Sequence, residues 1–148
     1  MNQQFLRAGV MSRKDTFHDI VRRALEKDGW IITHDPLLLQ YELGNLYVDL
    51  GAERILAIER EGKKIAVEIK SFIQNSAVSE FHKAVGQFIS YRKLLSEQYP
   101  EHALYLAIPT DAYRSFFNTQ LAKDIVSDYA LKLIVYNPKQ EEIDLWIK

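Results

Sequence analysis

The segment Lys64-Ile65-Ala66-Val67-Glu68-Ile69-Lys70 constrains this chain more than any other part of it. Glu61-Gly62 stands just before it, a pair suited to a tight reversal, and Arg54 to Arg60 supplies a second run of strand-forming residues. A β-hairpin is the expectation. Side chains alternate across a strand, so Ile65, Val67 and Ile69 share one face, and Ala66, Glu68 and Lys70 the other. A carboxylate and an ammonium therefore project side by side. Hairpin register centred on Glu61-Gly62 sets Ile55 opposite Glu68 and Glu53 opposite Lys70.

The flanking pattern predicts what encloses this hairpin. Ser12 and Asp15 form a capping signature for a first helix, with Phe17, Ile20, Val21, Ala24 and Leu25 at helical spacing and Gly29 to close it. Trp30 to Thr33 reads as a short strand that Asp35-Pro36 stops. Residues 37–45 read as an irregular connection or a short helix. Tyr47-Val48-Asp49-Leu50 begins strand material, bent or bulged at Gly51. After Gln74-Asn75-Ser76 a long helix is expected from about Ser79 to Gln98, with Phe81, Ala84, Val85, Phe88, Ile89, Leu94 and Leu95 on its apolar side. Ala103 to Ile108 is almost wholly apolar, as a central strand covered on both faces should be. A helix near Leu121–Tyr129 and strands Leu131–Tyr136 and Ile143–Ile147 complete the chain. The expected order is α-β-β-β-α-β-α-β-β, an α/β fold with a mixed sheet sandwiched by helices. Residues 1–11 read as a flexible arm and 12–148 as one domain.

Composition narrows the function classes. There is no cysteine, which excludes disulfides and thiolate metal sites. No apolar run approaches the length of a membrane span, and the first eleven residues lack a signal-peptide core, so a cytoplasmic protein is expected. The net charge of −1 gives no sign of a protein held on DNA chiefly by electrostatic attraction. DNA binding is neither signalled nor forbidden.

The chemistry-bearing residues gather around the hairpin. Asp49 could bring a second carboxylate to Glu68, with Glu53 a rival on register. Two carboxylates and the Ile69 backbone carbonyl would make an oxygen-rich corner suited to Mg²⁺ or Mn²⁺. Lys70 could then orient a water or stabilise developing negative charge. Gln87 and Tyr91, one turn apart on the long helix, either support Lys70 or simply pack. The bland alternative for the whole set is a half-solvated strand. His18, His34, His82 and His102 show no metal-ligand spacing, and His18 reads as a boundary histidine. Tyr113, Phe116 and Phe117 read as core rather than a contact patch.

Four segments carry a resemblance: Val48-Asp49-Leu50-Gly51-Ala52-Glu53, Ile65 to Phe72, Ala84-Val85-Gly86-Gln87-Phe88 and Tyr105-Leu106-Ala107-Ile108-Pro109. Together they resemble the XisH proteins, the cyanobacterial fdxN-element excision controlling factors, from about residue 11 onward. The resemblance implies a restriction-endonuclease-like, PD-(D/E)XK three-layer α/β/α fold and an association with DNA-element excision in heterocyst development. It also implies a small protein partner of the XisI type. Carried over residue by residue, Asp49 and Glu68 become metal ligands and Lys70 the catalytic lysine, with Gln87 at the supporting position on the helix. Val48 stands where the motif has proline. Two functions follow as expectations: a divalent-metal nuclease or nuclease-derived factor, and a non-catalytic adaptor working through its partner. The last strand, if at the sheet edge, leaves room for a homo-oligomer.

Overall fold

The computed structural model describes residues 13–45, 55–73 and 76–148. Helix α1 (Arg13–Lys27) leads into β1 (Ile31–His34), and β2 (Gln40–Tyr41) pairs with β3 (Gly44–Asn45). Strands β4 (Ile55–Arg60) and β5 (Lys63–Ile69) form the expected hairpin. Helix α2 (Ala77–Gln98) and strand β6 (His102–Pro109) follow. Then come α3 (Thr110–Arg114), a 3₁₀ turn (Phe116–Asn118), α4 (Gln120–Asp128), β7 (Leu133–Asn137) and β8 (Glu142–Ile147).

Six strands join in the order β1-β4-β5-β6-β7-β8. The middle pairs β5–β6 and β6–β7 are parallel, and the outer pairs are antiparallel, so the sheet is mixed. Strand β8 is an edge, as its alternating sequence allowed. The hairpin register is the expected one: Ile55 faces Glu68 and Arg60 faces Lys63. Glu61 (φ 52°) and Gly62 (φ 82°) both take left-handed backbone, the conformation a two-residue reversal between right-twisted strands requires.

Helices cover both faces. On one, Val21 and Leu25 of α1 pack with Trp30 onto Ile65, Val67, Ile69 and Tyr136. On the other, Phe81, Ala84, Phe88, Tyr91 and Leu95 of α2 pack onto Ala57, Ala66, Leu104 and Leu106. The end of α1 is built by its sequence. Gly29, at φ +89°, donates its N–H to the Glu26 carbonyl at 3.0 Å, and Trp30 N–H reaches the Leu25 carbonyl at 3.1 Å. That pair of bonds is the Schellman arrangement, and its usual apolar contact is supplied by Trp30 and Leu25 in one cluster.

The structure differs from the sequence expectation in four places. Residues 37–45, expected as an irregular connection or a short helix, are irregular as far as Leu39 and then form a two-strand hairpin, fixed to α2 where the Gln98 amide bonds both backbone groups of Gln40. Helix α2 starts at Ala77 rather than near Ser79, because the Ser76 hydroxyl accepts from Ser79 N–H and caps it earlier. Ile89, assigned to the apolar side, is 41% exposed. Residues 110–118, not expected to be helical, form α3 and the 3₁₀ turn. The proposed Ser12–Asp15 cap and the strand Tyr47–Leu50 with its bend at Gly51 lie outside the described residues or side chains. Among the described residues no helix is long and apolar enough to cross a membrane.

Candidate functional site

Strand β5 lies between β4 and β6, and its polar face points to α2. Ala66 packs against α2, so Glu68 and Lys70, two and four residues on, meet the same helix. Both are almost wholly enclosed: their side chains are 1% and 3% exposed. Lys70 Nζ lies 3.5 Å from Glu68 Oε1 and donates to Gln87 Oε1 at 2.5 Å. Gln87 is itself buried, and Tyr91, one turn further along α2, is fully so. Gln87 thus meets Lys70 directly, while Tyr91 packs in the core on the same stripe.

The Lys70 backbone is fixed by the neighbouring strand and by a side chain from the opposite face of the sheet. Its N–H donates to the Ala107 carbonyl at 2.9 Å, and its carbonyl accepts the Tyr136 hydroxyl at 2.9 Å. Tyr136 stands two strands away on β7, in the apolar cluster under α1. The sequence reading missed this residue; a tyrosine at the end of an apolar strand was the only signal. Burying an ammonium and a carboxylate costs several kcal/mol each unless they satisfy one another and their remaining bonds, and this cluster provides charge and hydrogen-bond partners together.

Asp49 and Glu53 both lie outside the described residues, so the choice between them is not made by the register, which is described only as far as Ile55. Among the described residues no group of three or more His, Asp or Glu side chains is placed to hold a metal. Glu68 and the Ile69 carbonyl are hard oxygen donors of the type Mg²⁺ or Mn²⁺ takes, and fit such an ion in kind.

His18 does not join Glu68 and Lys70. It lies on α1, across the sheet from α2, with Nε2 at 2.9 and 3.0 Å from the two oxygens of Asp35. Arg22 binds the same carboxylate. Burial works against the charged form of Asp35, but the hydrogen bonds and charges of His18 and Arg22 outweigh it and hold the carboxyl below its ordinary value. The unfolded chain therefore takes up this proton first as acid is added. The stability Asp35 contributes is complete above the unfolded value of about 3.9 and is lost as pH falls through the lower folded value. Asp35→Asn should cost on the order of 2 kcal/mol near neutrality through its hydrogen bonds to charged partners, and the gap from wild type should narrow as pH falls below the unfolded value. Urea unfolding of both proteins across that range checks it, and a gap that widened in acid would refute the assignment.

Of the three aromatics expected in the core, Phe117 is buried there, while Tyr113 and Phe116 are half-buried against it: Phe81 meets Phe116 at 5.0 Å and Phe117 at 5.4 Å, and Phe117 meets Phe72 at 5.3 Å.

Fold and site together define a mixed α/β protein with a buried acid–lysine–amide cluster at the end of a central strand. The chain belongs to the XisH family, whose description, XisH protein, matches residues 11–144. It is similar to the crystal structure of an XisH family protein from Nostoc punctiforme, with 46% identity, a TM-score of 0.82, and coverage of 90% of this chain and 99% of that one. It is equally similar to a fdxN element excision controlling factor protein from Anabaena variabilis, at 46% identity, TM-score 0.83 and the same coverage. No curated protein matches the chain.

Proposed function

We propose that this chain is a restriction-endonuclease-like, three-layer α/β/α protein that performs divalent-metal phosphodiester chemistry, or descends from one that did, in the excision of a DNA element. The buried Glu68–Lys70–Gln87 cluster carries the reading. A cation held at the end of a central strand beside a carboxylate is the pairing that hydrolysis of a phosphodiester needs: an anion to hold a metal and a cation to meet charge at phosphorus. Glu68, the Ile69 carbonyl and either Asp49 or Glu53 would hold Mg²⁺ or Mn²⁺. When bound, such an ion supplies Lewis-acid polarisation and an acidified water. Lys70 would stabilise the developing charge, and Gln87 would keep its ammonium aimed.

A second reading is supported by the same burial. Glu68 and Lys70 neutralise one another out of solvent, and the chain as a whole carries a net charge of only −1. A non-catalytic controlling factor, working through a small XisI-type partner, would keep the fold and dispense with the cut. The similar protein from Anabaena variabilis is described as a controlling factor.

One assay separates the two. Purified protein, alone and with the small partner, is incubated with single- and double-stranded DNA and RNA in Mg²⁺ or Mn²⁺. The nuclease reading expects metal-dependent cleavage that Lys70→Ala lowers at least about 100-fold, with circular dichroism showing the variant folded. Absence of cleavage together with a stable heteromeric complex establishes the adaptor reading instead.

A further inference from the structure

We propose that a cleft beside the β7–β8 edge, roofed by α4 and the 110–118 segment, binds a small amphipathic anion: an aliphatic or aromatic body carrying one carboxylate or phosphate. The cleft encloses about 640 Å³, and small-molecule sites commonly span roughly 300–1,000 Å³. Its floor is apolar, from the buried Phe117, Leu131 and Leu133, and half-buried Val126 and Ile147 wall it. No aspartate or glutamate is among the residues that line it, whereas Arg114 and Lys123 are. Both are exposed and make no ion pair among the described residues. Lys132 also borders the cleft, but its ammonium lies 5.8 Å from the Tyr105 ring, which belongs to the cluster on the other face of the sheet.

An ordinary solvated face mixes charges of both signs, and this chain is slightly acidic overall. Cations of one sign gathered around an apolar hollow select for a ligand that is apolar in its body and negative at one end. A neutral lipid would leave those cations without a counter-charge, and a fully polar anion would leave the floor wet. The cleft is separate from the Glu68–Lys70 cluster, because Phe117 packs edge-on against Phe72, two residues beyond Lys70, and closes that side. The inference therefore stands or falls independently of the nuclease reading.

Anilinonaphthalene sulfonate, itself an aromatic anion, serves as the probe, with decanoate, decyl phosphate and decanol as competitors of matched tail. Saturable fluorescence is expected, displaced by decanoate or decyl phosphate at least about tenfold more effectively than by decanol. Whichever of the two anions displaces better distinguishes a carboxylate ligand from a phosphate one. Arg114→Glu with Lys123→Glu should weaken the anions by about tenfold or more, and Val126→Trp should fill the cleft and abolish binding. Should Val126→Trp fail to fold, Ser127→Trp on the exposed rim takes its place. Decanol competing as well as the anions, affinity untouched by the charge reversal, or binding retained by a folded filled variant would each overturn the proposal.

Discussion

Glu68→Ala is expected to lower the unfolding free energy by about 3–5 kcal/mol. The cause is what remains rather than what is removed. Lys70 stays enclosed, its ammonium facing a neutral Gln87 amide where a carboxylate stood 3.5 Å away. For a chain of this length the loss corresponds to a thermal midpoint lower by roughly 10 °C. Replacing both partners with apolar groups of similar size, Glu68→Leu with Lys70→Met, should recover most of the stability, since neither charge is then buried. Urea unfolding of the wild type, the single and the double variant gives all three values. A single variant within about 1 kcal/mol of wild type would mean that water reaches Lys70 freely, and the buried-pair description would fail. If the double variant is as stable as the wild type, the ion pair is not retained for stability, and a chemical role for it gains ground.

Most of this cluster was legible in the sequence. Period-two alternation put Glu68 and Lys70 on one face, and the Glu61-Gly62 turn gave the register that pairs Ile55 with Glu68. A two-residue turn leaves a hairpin almost no freedom to slip, which is why that inference holds. Gln87 was singled out too, one turn from Tyr91 on the long helix and at the supporting position the family resemblance implies, with plain packing as the alternative. Tyr136 was not, for a physical reason. Its hydrogen bond to the Lys70 carbonyl spans 66 residues and exists only because β7 follows β6 and β5 in parallel order. Nothing local encodes strand order. Asp49 and Glu53 fall outside the described residues, and the contest between them stands where the sequence left it.

The fold was most legible where one element buries a continuous face. The near-unbroken apolar run of β6 lies in the centre of the sheet, and the helical spacing of α1 matches the face it packs. Legibility failed where tertiary contacts decide a short segment. Leu37 and Leu39 are buried under α2, and the Gln98 amide holds Gln40 in extended backbone that nothing in residues 37–45 demands alone. Ile89 shows the converse: its neighbours suggested an apolar side wider than the sheet can cover, and α2 leaves it in solvent. Residues 110–118 belong to the same class, since Pro109 ends β6 and the helical turns beyond it are fixed by the aromatic rings they bring to α2.

That last point predicts a large effect at Phe81. The side chain is fully buried in the first turns of α2, with Phe116 at 5.0 Å and Phe117 at 5.4 Å. Phe81→Ala should cost about 3–5 kcal/mol, the lost transfer of a ring plus the cavity it leaves. The loss should not spread evenly. Phe117 keeps Phe72 as a neighbour at 5.3 Å, but Phe116 is only half-buried and keeps the more distant Phe117 ring, at 6.1 Å. The 3₁₀ turn, closed by Asn118 N–H to Ser115 and Thr119 N–H to Phe116, should therefore open before the sheet does. Amide hydrogen exchange provides the reading: Asn118 and Thr119 should lose protection well beyond the loss seen at Leu106, in the middle of β6. Phe81→Leu, which keeps much of the volume, should lose less than half as much stability and leave the turn closed. Equal loss of protection at the turn and in β6 would show that residues 110–118 unfold only with the whole sheet, and that Phe81 supports the core in general rather than the segment that roofs it.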